Sequence, residues 1–185
     1  MALSAGDLGA TYGAIPLALY RAGFGQAGTE AFAGPGRWND PDYLMFGDLN
    51  TAGAGARPSP LSPNEQYTQM SLWCLLAAPL FIGGDIMTLT PFELSVLTND
   101  EVIEINQDPL GRQARRVARR DDAEVWAKDM EDGSLAVGLF NRGGGTARVS
   151  VAWSDLGIAG PRRVRDLWCD RDIGVIDAGY EAEVP

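Results

Sequence analysis

The hydrophobic and polar positions of this chain change period once along its length. Up to Gly111 the apolar residues come in helical or continuous runs, each introduced by a capping or turn signal. Ile15 to Ala22 is a short apolar segment suited to a helix. Ser62-Pro63-Asn64-Glu65 forms a capping box with proline at the first helical position, so a helix starts there and runs to about Ala77. Its polar start gives way to Leu72, Trp73, Leu75 and Leu76, the composition of a helix packed on a sheet. Pro79-Leu80-Phe81-Ile82-Gly83-Gly84-Asp85 then reads as a short buried strand ending in a glycine turn and an acid. Thr90-Pro91-Phe92-Glu93 repeats the capping-box logic and predicts a helix to Leu97; Asn99 caps another that ends near Ile105. Asp108-Pro109-Leu110-Gly111 fits a type I turn, and Asp48 to Pro60, rich in Gly, Ala and Pro, reads as a loop.

Beyond Arg112 the period is two. Val125 and Ala127 alternate with Glu124, Trp126 and Lys128; Leu135, Val137 and Leu139 follow, then Val149, Val151 and Trp153. Asp132-Gly133 signals a hairpin between the first two segments, and Gly143-Gly144-Gly145 the next turn. Further strands near Val164 to Trp168 and Tyr180 to Val184 complete an antiparallel sheet or sandwich. The basic run Arg112 to Arg120, followed by Asp121 and Asp122, reads as a solvated, self-neutralising hairpin. The predicted class is therefore α/β followed by all-β, with residues 1–111 and 112–185 as the two parts.

Composition narrows the chemistry. Net charge is −10, which disfavours nucleic acid and anionic membranes as partners, because both call for a basic face. The chain contains no histidine, so His-dependent triads and His-ligated zinc are excluded. Cys74 and Cys169 have no C-x-x-C partner and read as buried free thiols; neither a metal nor another cofactor is expected. No apolar stretch reaches bilayer length, and Met1 to Tyr20 lacks a basic n-region, so the expectation is a soluble chain showing no signal peptide.

The candidate chemistry lies in Gly34-Pro35-Gly36-Arg37-Trp38-Asn39-Asp40-Pro41-Asp42-Tyr43-Leu44. Pro41 disfavours the helical conformation at Asp40, and in extended backbone Asp40 and Asp42 project from one side. Trp38 offers an apolar face of the kind sugar rings stack against. The same residues also suit an Asx-rich turn, the simpler reading on composition alone.

This stretch, together with Leu61-Ser62-Pro63-Asn64-Glu65-Gln66-Tyr67, Trp73-Cys74-Leu75-Leu76-Ala77-Ala78-Pro79-Leu80 and Asn99 to Gly111, resembles the α-galactosidase (melibiase) family of retaining glycoside hydrolases. The resemblance implies a catalytic (β/α)8 TIM barrel followed by an antiparallel β-sandwich domain, acting on terminal α-linked galactose without a metal. It gives Asp42 a sugar-hydroxyl-binding role and Tyr43, where many relatives have Met, a place in the pocket wall. Asn39 and Asp40 remain mainly structural. Asp85 is a second-rank candidate whose simpler job is to hydrogen-bond the next turn. Gly6-Asp7-Leu8 stands where the family places its general acid/base aspartate, although the arginine usual four residues earlier falls on Leu3. Asp7 thus reads equally as that acid/base or as a solvated residue of a terminus.

A complete barrel of this kind takes about 250 residues. The expectation is therefore a C-terminal portion of such an enzyme, holding the last βα units and a β domain short of its last strand. The nucleophile, an aspartate in a Lys-x-Asp context on the fourth strand, would precede Met1. Stand-alone activity is not expected. Partners would be an α-galactoside or related sugar, with a separate N-terminal barrel half or a second copy of the chain. The alternative functions are a non-catalytic carbohydrate-binding or structural module, or a subunit complementing such a half.

Overall fold

The computed structural model describes residues 16, 19–50 and 55–185. After a π-helical turn at Tyr20–Phe24 and a 3-10 turn at Glu30–Phe32, the chain passes through an irregular extended segment to β1 (Asp48–Asn50), which pairs antiparallel with β2 (Ala56–Pro58). This small hairpin lies inside the stretch expected to be loop. Helix α1 (Pro63–Leu75) follows, its capping box complete: Ser62 Oγ accepts from Glu65 N–H, and the Glu65 carboxylate accepts from Ser62 N–H at 2.8 Å. Helices α2 (Pro91–Leu97) and α3 (Asp100–Gln107) start at Thr90 and Asn99, both capped by their own side chains. No helix among the described residues is long and apolar enough to cross a membrane.

Between α1 and α2 the chain returns alongside the extended segment. Leu44 and Ile82 form a parallel bridge, with Leu44 N–H donating to Phe81 O at 2.7 Å and Gly83 N–H to Leu44 O at 2.8 Å. A parallel pair needs a crossover, and α1 is that crossover. The segment from Pro79 is not the buried strand expected of it: Phe81 is 62% exposed, and Ile82 is exposed as well. The described residues flank it on one side only, so its apolar side chains keep an open face.

The β part has seven strands among the described residues. A three-stranded sheet is ordered β3 (Arg115–Arg120), β4 (Ala123–Asp129), β5 (Leu135–Asn141), all antiparallel. Then come β6 (Ala147–Ala152), β7 (Arg162–Asp166), β8 (Arg171–Ile176) and β9 (Gly179–Val184), with β6 paired to β9 and β7 to β8. Strand β8, unforeseen in the sequence, is the return arm of a hairpin whose first arm was expected.

Two apolar clusters organise these elements. Val125 and Ala127 face Val149, Val151 and Trp153 between the sheets. The opposite face of β4, with Trp126, joins Phe140, Trp73, Leu72, Phe46 and Leu44 in one core that crosses from the α/β part into the β part. Strand β4 is therefore buried on both faces, which accounts for the burial of Glu124 and Lys128. The Lys128 ammonium reaches Ile105 O, one of the last carbonyls of α3, where cation and helix dipole are complementary. Burial holds its pKa below the usual lysine value, against the opposing pull of the Asp108 carboxylate.

Glu124 is the electrostatic centre of the junction. It accepts from Arg142 at 2.6 Å and from the Trp126 indole at 2.9 Å, with Arg116 and Arg119 at 3.5 and 3.7 Å. The Arg142 guanidinium in turn lies over the Phe24 ring, 4.8 Å from its centroid. The basic run is thus neutralised by Glu124, and by Asp129 for Arg112 and Arg115, rather than by Asp121 and Asp122 as expected.

Cys74 is buried, and burial pushes its thiol up to about 12; Cys169, expected to be buried, is exposed in the turn before β8. Both are free.

Breaking a buried ion pair by removing one partner costs about 3–5 kcal/mol. Glu124→Gln should lower the unfolding free energy by that amount, read from urea denaturation. A loss under about 1 kcal/mol would show that the junction does not depend on this carboxylate.

Candidate functional site

The acid-rich stretch runs along the surface of α1 and turns at its carboxyl end. Asp40 Oδ1 accepts from Asp42 N–H at 2.9 Å, an Asx turn spanning Pro41. Asp42 then adopts φ = +79°, a left-handed conformation that Asp tolerates better than most residues. The expected run of extended backbone through Asp42, with both carboxylates on one side, does not form. Turn chemistry prevails because Asp40 satisfies the Asp42 amide locally. Asp42 Oδ1 in turn accepts from Tyr43 N–H at 2.8 Å, which fixes the carboxylate beside the following residue.

Helix α1 holds this tip from below. The indole N–H of Trp73 donates to Asp42 O at 2.7 Å. The Gln69 amide spans the next residues, donating to Tyr43 O at 3.1 Å and accepting from Met45 N–H at 2.9 Å. Residues four apart on a helix share a face, so Gln69 and Trp73 reach the same short length of backbone. On the other side, Gly23 lets the Tyr20–Phe24 turn lie close on α1, since a Cβ there would meet Leu72 Cδ2 at 2.6 Å and the Trp73 ring at 2.8 Å.

The Tyr43 side chain is 51% exposed. It stands over Gly83, where an added Cβ would meet Tyr43 Cβ at 2.9 Å, so the parallel neighbour must carry glycine at that point. At the other end of the stretch, Trp38 and Pro35 both rest against Gly111. Asn39 is buried, and its amide donates to Gln113 Oε1 at 2.7 Å and Thr29 Oγ1 at 2.9 Å, tying the stretch to the start of the β part. Asp85 accepts from Met87 N–H at 2.9 Å within its own turn. Asp7 lies outside the described residues.

Glu93 is the group that sequence reasoning accounted for too early. Its capping role with Thr90 is present, yet Oε1 also accepts from Gly47 N–H at 2.9 Å and Gln66 Nε2 at 3.0 Å. Burial by itself would raise its pKa; the hydrogen bonds from Thr90, Gly47 and Gln66 outweigh burial and hold it below the usual glutamate value. A capping box leaves one carboxylate oxygen with acceptor capacity to spare, and that was the available signal. For Gln69 and Trp73 the signal was polar hydrogen-bonding groups on an otherwise apolar helix face.

Among the described residues no group of three or more Asp, Glu or Cys side chains converges as a metal site would. A cleft of about 420 Å³ opens elsewhere, between β3 and β6 and lined by Arg120, Asn141 and Arg148 among others; none of the candidate residues borders it.

The family model for alpha galactosidase A matches residues 12–108, and that for the alpha galactosidase C-terminal beta sandwich domain matches residues 120–185. The chain belongs to the α-galactosidase family. An alpha-galactosidase of Cyamopsis tetragonoloba is 36% identical over 155 residues, covering 83% of this chain and 35% of that protein. Alpha-galactosidase A of Homo sapiens is 40% identical over 127 residues, 68% of this chain and 27% of the relative. Among solved structures, a β-L-arabinopyranosidase from Geobacillus stearothermophilus matches with a TM-score of 0.78 at 30% identity, over 94% of this chain and 39% of that one. The chain thus spans about a third of the length of these proteins.

Two outcomes are expected. A carboxylate whose folded pKa is depressed stabilises fully above its unfolded value, about 4.3 for Glu, and the gain is lost as pH falls through the folded value. The melting temperature of the native chain should exceed that of Glu93→Gln near neutral pH, with the gap closing below about pH 4; a gap that widens on acidification would contradict this. Gly83→Ala should displace the Tyr43 ring, seen as altered tyrosine ring shifts by NMR, whereas unchanged shifts would mean that the contact is slack.

Proposed function

We propose that this chain is the carboxyl-side share of a retaining glycosidase of the α-galactosidase type, acting on terminal α-linked galactose. In this reading residues 1–111 supply the last βα units of a (β/α)8 barrel and residues 112–185 the antiparallel β domain. The supporting observation is the parallel bridge between Leu44 and Ile82 across α1, with the Asp42–Tyr43 turn beside it. In such barrels the active face lies at the carboxyl ends of the strands. The exposed edge carrying Phe81, Ile82, Ile86 and Met87 is then the surface on which the remaining βα units pack.

The residues divide the work by their chemistry. An ionised carboxylate is an acceptor only, so Asp42 binds sugar hydroxyl donors and fixes the ring's orientation. Tyr43, half exposed beside it, forms a wall of the pocket; the Trp38 face supplies apolar surface, part of it already taken up against Gly111. Asp7 serves as general acid, protonating the leaving oxygen, and then as base for the incoming water. Retention requires a second carboxyl about 5–5.5 Å away as nucleophile, contributed from a strand outside this chain. The core shared by α1 and β4 weighs against a β module that stands alone as a binding domain.

The purified 185-residue chain should show no turnover of 4-nitrophenyl α-D-galactopyranoside. Turnover that Asp7→Asn abolishes would overturn this division of roles. Binding of galactose, followed by NMR, should be lost in Asp42→Ala; retention of binding would remove Asp42 from the site.

A further inference from the structure

The geometry points to Gln69 and Trp73 as positioning residues that hold the Asp42 carboxylate in place for sugar binding. The inference rests on the proposed role of Asp42 and identifies what fixes that side chain. Neither Gln69 nor Trp73 retains any exposure, and the hydrogen bonds of the Trp73 indole and of the Gln69 amide all go to the Asp42–Met45 backbone.

Backbone geometry explains why they are needed. A residue at positive φ interrupts regular strand pairing, and its carbonyl is aimed away from where a neighbouring strand would meet it. The carbonyls of Asp42 and Tyr43 therefore call for donors from another direction than a paired strand. The indole supplies one donor and the amide the other, and the same amide accepts from Met45 N–H. The amide thus acts as one unit of a β ladder, inserted from a helix. Leu44 between them is pinned to Phe81 and Gly83 on the opposite side. The left-handed turn is thereby held from two directions. The contact between Asp42 Oδ1 and Tyr43 N–H follows from that turn, and it decides where the carboxylate sits.

Because Asp42 Oδ1 accepts from Tyr43 N–H while Asp40 Oδ1 accepts from Asp42 N–H, the two carboxyls can be followed separately. In ¹⁵N-resolved hydrogen-exchange spectra of the full 185-residue chain, the Tyr43 amide should be protected from exchange with solvent by its bond to Asp42 Oδ1. Adding galactose should shift its resonance. Trp73→Phe keeps the ring and removes the donor; Gln69→Glu keeps the acceptor facing Met45 and removes the donor to Tyr43. Each should reduce both responses by at least half. Trp153→Phe removes an indole bond of the same kind, to Ile176 O at 3.1 Å in the β part, and controls for general loss of stability. It should lower the melting temperature and leave both responses intact.

Full responses in folded Trp73→Phe and Gln69→Glu would overturn the inference, as would losses no greater than in the Trp153→Phe control. If the native chain shows no response to galactose but its Tyr43 amide protection still collapses in the two α1 variants, the positioning role stands. In that case the sugar-binding reading of Asp42 fails.

Discussion

A buried backbone that is not part of a regular sheet must still find a partner for every N–H and C=O, and in this chain that requirement falls on residues 42–48. Neighbouring backbone serves part of it: Leu44 through Phe81 and Gly83, Gly47 O through Ser59 N–H, and Asp48 O through Asp85 N–H. Other partners are side chains: Trp73 for Asp42 O, Gln69 for Tyr43 O and Met45 N–H, Ser59 Oγ for Met45 O, Glu93 for Gly47 N–H and Thr88 Oγ1 for Asp48 N–H. Each comes from a different turn of chain or helix. The arrangement of α1, α2 and the 59–62 entry around this segment can be read as the solution to one hydrogen-bonding problem.

The β part meets the same segment indirectly. Strand β4 has apolar residues on one face for the neighbouring sheet and, on the other, Glu124, Trp126 and Lys128 aimed at the helices and at Tyr20–Phe24. A charged residue inside is tolerable only when fully partnered. Glu124 has Arg142 and the Trp126 indole, and Lys128 has the end of α3 with Asp108 nearby. The junction combines a large apolar contact with the Glu124–Arg142 ion pair and the charged hydrogen bond from Lys128 to Ile105 O, and therefore defines one orientation between helices and sheet.

Much of this was legible in advance where the signal is local. The capping boxes at Ser62 and Thr90, the Asn99 cap, the Asp108–Gly111 turn and the hairpin at Asp132-Gly133 depend on residues three or four apart, and each stands where the sequence puts it. Family motifs likewise placed the chain correctly. What sequence could not show depends on residues far apart. The period-two pattern of β4 looks half-solvated, because alternation cannot tell a strand facing water from one facing a helix through Trp and paired charges. Asp42 was expected in extended backbone because neighbours at i and i+2 argue for it; its turn follows from one Asp40 hydrogen bond and from two side chains on α1. Exposure of the Pro79–Asp85 segment, too, is set by what flanks it and not by its own composition.

The hairpin of β7 and β8 carries one further consequence. Its tip reaches over α1, where the Trp168 indole donates to Ser71 Oγ at 2.9 Å and its ring packs edge-on against Tyr67; Asn99 at the start of α3 donates to Leu167 O at 3.0 Å, and Arg165 pairs with Glu101. Shuffling the carboxyl-side module between homologues would therefore fail unless the recipient's helices brought matching counterparts for Trp168 and Arg165. A crossover between the two halves of this polypeptide would thus have to preserve the fit of one hairpin loop.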